Sequence, residues 1–222
     1  MDSEQIRELA SDLIRQLQSI DDQRRIIIAM AGIPGSGKTF LSNQLQQEVN
    51  RQASSNICAV LPLDGFHLSL QQLQALPNAK EALNRRGAHW TFDGAGFVST
   101  LQAIRQQSSS TVLAPTFDHA VGDPVANAIA VEPHHRVIIA EGLYLHVENE
   151  QPWSSIQSII DQTWWVQPQN PQLAQQRLVM RHVQAGLAAS EEEALLRIQH
   201  NDGLNAAFVE QTRCQPTRII YN

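Results

Sequence analysis

The eight residues GIPGSGKT, Gly32 to Thr39, constrain this chain more than any other stretch. They follow the apolar run RRIIIAMA and precede KTFLSNQLQQEVNRQ, where Leu41, Leu45 and Val49 recur four apart. The β-branched run reads as a buried strand and the four-residue spacing as a helix. Strand, glycine-rich loop and helix, in that order, are the context that G-x-x-x-x-G-K-[ST] requires. Glycines reach positive φ freely, so successive N–H groups turn inward toward a phosphate. The helix starting near Lys38 adds its positive dipole end. Gly32, Ile33, Pro34, Gly35, Ser36, Gly37, Lys38 and Thr39 are therefore the candidate cofactor-binding residues. Lys38 suits the β- and γ-phosphates, and the Thr39 hydroxyl suits Mg²⁺. The loop implies a bound nucleoside triphosphate. It leaves the phosphoryl acceptor open.

Composition narrows the class. The chain has 222 residues, 42% of them hydrophobic and 17% charged, enough apolar material for a real core. A net charge of −6 argues against broad nucleic-acid binding, which needs a basic surface. Only Lys38 and Lys80 are lysines, so a lysine inside the glycine-rich loop stands out. Two cysteines, Cys58 and Cys214, give neither a disulfide framework nor metal spacing. The N-terminal stretch is no signal peptide, and no apolar run reaches membrane-spanning length. These features point to a cytoplasmic protein with no membrane partner.

Alternation along the chain points to α/β architecture. Ile6, Leu9, Ala10, Leu13, Ile14 and Leu17 place an amphipathic helix over 3–20, within an N-terminal segment 1–22, capped by Asp2 or Ser3. The strand candidates are RRIIIAMAG, NICAVLPLD, TVLAPTFD, HRVIIAEGLYL and IDQTWWVQP, with RIIYN as a small final strand. Residues 68–83 read as partly helical, GAHWTFDGAGF as a loop and FVSTLQAIRQQ as a helix. A long helical stretch runs from Pro171 to about Val209, broken near AGLAAS. Strands alternating with helices predict a P-loop NTPase fold: a parallel five-stranded sheet with helices on both faces and a small helical lid at about 171–200. No linker divides the chain, so 1–222 reads as a single domain.

Two acids stand at strand ends. Glu141, in RVIIAEG, is a candidate for holding the metal's water shell, so Thr39 and Glu141 form the candidate metal set. Asp64, in CAVLPLDGFHLSL, reads as a turn residue alone and as a base candidate downstream of a phosphate loop. Arg85 and Arg86 are forked donors suited to a substrate or its anionic group. Trp90, Phe92 and Asp93 read as a pocket segment. There is no N-K-x-D for guanine and no L-S-G-G-Q segment. The histidines lack a zinc spacing.

GIPGSGKT, LDGFH, RRGAHWTFD, PTFDHAVGD, VIIAEGLYL and NDGLNAAFV occur in the order of the phosphoribulokinase, uridine kinase and bacterial pantothenate kinase family, which the chain resembles over about residues 24–221. RRGAHWTFD and FDHAVGDP look nearest to fructose-transport-associated kinase-like members. The resemblance implies an ATP-dependent kinase using Mg²⁺, with Asp64 as general base for the acceptor hydroxyl. It implies substrate contacts at Asp93, Phe117, Asp118, His119 and Asn201, beside Arg85, Arg86 and Trp90. It implies that Arg177 and Arg181, four apart on one helix face, close over the triphosphate. The acceptor would be a small metabolite, sugar-, nucleoside- or pantothenate-like, and the resemblance allows a homodimer. The chain carries D-G-F-H where uridine kinases carry D-S-F-Y, and it lacks the tyrosine-rich lid of pantothenate kinases. The alternative is a nucleotide-dependent regulatory switch with no small-molecule acceptor.

Overall fold

The computed structural model describes residues 3–106, 109–118 and 120–222. Asp2, one of the two cap candidates, and His119, a substrate candidate, lie outside the described residues. Helix α1 spans Ser3–Leu17, strand β1 Ile26–Ala31 and helix α2 Lys38–Ala53. Strand β2 spans Cys58–Pro62 and is followed by a 3₁₀ turn, Leu63–Phe66. Two short helices, α3 (Leu70–Gln74) and α4 (Ala79–Asn84), fill the mixed segment. Ser69 and Gln72 close a capping box on α3, satisfying its first free N–H groups. Helix α5 runs Gly94–Gln106, starting three residues before the expected FVSTLQAIRQQ.

The main sheet is parallel and five-stranded, in the order β2-β5-β1-β6-β7, with β5 at Val137–Glu141, β6 at Gln162–Gln167 and β7 at Arg218–Tyr221. Every residue of β1 and β5 is buried, as strands covered on both faces should be. Side chains alternate across β1. Ile26, Ile28 and Met30 join Leu9, Leu13, Leu41, Leu45 and Val49 of α1 and α2 on one face. Ile27, Ala29 and Ala31 join Phe97, Leu101, Ile104 and Trp153 on the other. The periodic residues expected on both helices are thus the ones that cover the sheet.

One strand assignment is corrected. TVLAPTFD forms β3, Val112–Asp118, but it pairs antiparallel with β4, Asp123–Val131, in a separate two-stranded sheet. The fifth place in the main sheet belongs to β7, the short RIIY run. The physical reason is exposure. Leu113 is 52% exposed, and Pro115 interrupts the ladder where the register shifts between Ala114 and Thr116. Proline lacks a ladder donor and is confined to edges and bulges. Strand β4 has no clear strand signature in the sequence, because Pro124 and Asn127, the latter left-handed at φ 56°, are residue types that favour turns.

The helical stretch after Pro171 is as expected in outline. Helix α6 (Pro171–Gln184) is capped by Asn170, with Pro171 in its first turn. The break at AGLAAS separates it from α7 (Glu191–Arg197), capped by Ser190. A π turn at Ile198–Asp202 leads into α8, Gly203–Thr212.

Candidate active site

The strand order builds the site. Because β5 lies between β2 and β1, three strand ends come level: Met30 and Pro62 are both in register with Glu141. Beyond β1 comes the glycine loop, beyond β2 comes Asp64, and Glu141 lies between them. This is the carboxyl edge of a parallel sheet, where such sheets bind ligands. A cleft of about 300 Å³ opens there, bordered by Lys38, Thr39, Asp64, Glu141 and Arg181 among others.

The loop has the backbone that an anion cradle needs. Gly35 and Gly37 take φ of 78° and 85°, and α2 starts immediately after Gly37. Neighbours leave no room for side chains: a Cβ on Gly35 would stand 2.5 Å from the Ala174 carbonyl oxygen, and one on Gly32 would stand 2.7 Å from that of Val166. Ser36 is buried and its Oγ has no hydrogen-bond partner among the described residues.

Glu141 is 3% exposed. The Thr39 hydroxyl donates to its Oε1 at 3.0 Å, while Oε2 is buried without a hydrogen-bond partner among the described residues. Burial pushes the Glu141 carboxyl above the usual range; Lys38, the Thr39 hydrogen bond and Arg181 pull it down, and the nearby Asp64 charge pushes it up. A buried carboxylate oxygen with no donor is costly unless a cation or donor arrives. Thr39 and Glu141 thus fit a hydrated Mg²⁺, which takes few protein ligands and completes its shell with water and phosphate. The described residues contain no cluster of three or more His, Cys, Asp or Glu able to hold a metal by themselves.

Asp64 proves to be both turn residue and cleft residue. It sits in the 3₁₀ turn after β2 with its side chain exposed to the cleft. Its carbonyl accepts from the His67 backbone N–H at 3.2 Å and from His67 Nδ1 at 2.8 Å. A carbonyl only accepts, so Nδ1 carries the proton. The His67 ring packs on Phe92 (centroids 4.0 Å) and Phe117 (4.9 Å). All three rings border the cleft on the Asp64 side.

The other candidates divide. Arg86, Phe117, Asn201 and Arg181 border the cleft. Arg86 is tied to Asp123 at 2.8 Å and to the Leu68 and Gly122 carbonyls. Arg85 stands behind the wall, donating to Asn201 Oδ1 at 3.1 Å and Asn205 Oδ1 at 2.8 Å. Asn201 donates to the Arg86 carbonyl and Asn205 to that of Gly87. Asp93 is exposed and caps α5, accepting from the Gly96 N–H. Asp118 accepts from the Ala120 and Val121 N–H groups in the β3–β4 turn. Trp90 and Arg177 lie outside the cleft lining, Arg177 exposed on α6.

Among the lining residues not named as candidates are the titratable His182, Asp202 and Arg197, of which Asp202 falls within the NDGLNAAFV motif. His182 Nε2 meets Asp202 Oδ2 at 2.9 Å, joining α6 to the π turn. Only the fold of the helical arm brings them to the cleft.

No protein-family model matches the chain. A Schizosaccharomyces pombe protein, named provisionally as a uridine kinase, is 39% identical over 206 residues, 93% of this chain and 87% of that protein. An Aspergillus versicolor protein named as ATP-dependent kinase-like is 44% identical over 161 residues, 71% of this chain and 92% of its own length. A crystal structure from Silicibacter sp. TM1040, described provisionally as a fructose transport system kinase, superposes with a TM-score of 0.80 at 33% identity, covering 96% of this chain and 98% of that one. Among the described residues, no helix is long and apolar enough to cross a membrane.

Proposed function

The chain belongs to the P-loop kinases of the phosphoribulokinase and uridine kinase group, and from that premise we propose that it transfers the γ-phosphoryl group of ATP to a hydroxyl of a small metabolite. The observation that carries the reading is the single cleft holding the glycine loop, Glu141 and Asp64 at adjacent strand ends. A switch needs the loop and the metal acid. A carboxylate facing the same cleft, backed by an aromatic wall, suits an acceptor.

The chemistry then follows from position. Loop N–H groups and the α2 dipole hold the triphosphate, and Lys38 offsets charge on its outer phosphates. Thr39 and Glu141 would hold Mg²⁺, which would supply charge neutralisation there. Asp64 orients the acceptor hydroxyl and takes its proton as the oxygen attacks. Arg181 approaches from the arm and stabilises the transferring group. His67, Phe92 and Phe117 wall the acceptor side, which suits a sugar-, nucleoside- or pantothenate-like molecule.

ADP release measured over sugars, nucleosides, pantothenate and glycerate tests this. Asp64→Asn should retain ATP binding and lose about a hundredfold or more of acceptor-dependent turnover. Equal ADP release with and without every acceptor, unchanged in that variant, would establish the switch instead.

A further inference from the structure

Asn222 follows β7 and lies against the phosphate loop, although no loop motif includes it. Its backbone is held on both sides: its N–H donates to the Gln167 carbonyl at 2.9 Å, and its main-chain oxygen accepts from Gln169 N–H at 2.9 Å. From that anchored position the side-chain Nδ2 donates to the Ser36 carbonyl at 2.9 Å. The same Nδ2 fills the place that a Cβ on Gly37 would occupy.

This bond fixes more than one atom. The Ser36–Gly37 peptide is planar and trans, so its C=O and N–H point in opposite directions. Holding the Ser36 carbonyl outward against Asn222 therefore aims the Gly37 N–H inward. Gly37 has no Cβ and sits at φ 85°, so this peptide plane would otherwise turn easily. A flip would present a carbonyl, an acceptor, to the phosphates. We propose that Asn222 is a positioning residue that latches the Ser36–Gly37 peptide in its phosphate-binding orientation.

The latch acts on nucleotide binding and does not depend on which acceptor is used. Asn222→Ala removes the donor. Asn222→Asp keeps the shape but sets a carboxylate against the Ser36 carbonyl, which favours the flipped peptide. Titration of the full chain with a fluorescent ATP analogue should show affinity falling roughly fivefold for Ala and further for Asp. The thermal midpoint should hold in both variants. In ¹H–¹⁵N spectra, the ADP-induced shift of the Gly37 amide should shrink in the same order. Wild-type affinity in both variants would overturn the proposal. So would an Asp variant that binds as well as wild type, or losses that track a falling thermal midpoint, since those mark a brace of the fold alone.

Discussion

Glu141 shows how one residue can be costly to the fold and necessary to the site. Its carboxylate is buried, with one oxygen on Thr39 and the other without a hydrogen-bond partner among the described residues. Glu141→Gln replaces that charge with a neutral amide. The variant should unfold at equal or higher temperature without ligand, because a neutral amide is less costly to bury than a carboxylate. It should also need about tenfold more Mg²⁺ for half-maximal turnover, with the metal's contribution to nucleotide affinity reduced. A magnesium titration of turnover, set beside melting curves, checks both. Cys58 is the contrasting case: burial in the apolar cluster pushes its thiol up to about 12, so it is inert packing, as its place in an apolar run suggested.

The turn at residues 85–87 is held by elements distant in sequence. Arg85 bridges Asn201 and Asn205, those amides hold the Arg86 and Gly87 carbonyls, and the Tyr144 hydroxyl donates to Gly87 O at 2.6 Å. The helical arm is thereby joined to the cleft wall. Arg85→Ala strips two buried amide oxygens of a charged donor, a loss of about 1–3 kcal/mol. Hydrogen exchange should rise across 198–212, and the acceptor KM should increase more than the KM for ATP. Arg85→Lys should restore little, because a single ammonium does not reproduce the fork that spans both amides. The expectation for Arg85 was direct substrate contact. The structure instead spends its donors on Asn201 and Asn205, a fact that no local spacing could show.

At the scale of the whole molecule, buried histidines set an acid limit. His146 is fully buried, its Nε2 donates to the Ala29 carbonyl, and burial lowers its pKa from 6.5 to about 4. Between those values the unfolded chain takes up a proton that the folded chain refuses. Stability therefore falls as pH drops from about 6.5 toward 4, by up to about 3 kcal/mol from this residue. Burial shifts His89 and His135 the same way. The raised Glu141 carboxyl works in the opposite sense, as the folded state holds that proton to higher pH. Urea midpoints measured from pH 7.5 to 4.5 should decline, and His146→Gln, which keeps a donor near the Nε2 position, should flatten the decline. The core helices and β1, β2, β5 and β6 were legible because burial imposes periodicity and composition on them, and the glycine loop because phosphate binding imposes its glycines and lysine. Local sequence thus determined the nucleotide end of this protein, down to Lys38 and Thr39. Motif and resemblance also named Asp64, Glu141, Arg86, Phe117, Asn201 and Arg181, and the tertiary structure alone decided that these border one cleft. It set β3 and β4 apart from the main sheet, brought in β7, carried Arg181, Arg197 and the His182–Asp202 pair to the mouth, and left Asp93 and Asp118 as caps and turns. Contacts between residues a hundred positions apart leave no spacing in the chain, because they depend on where whole elements pack.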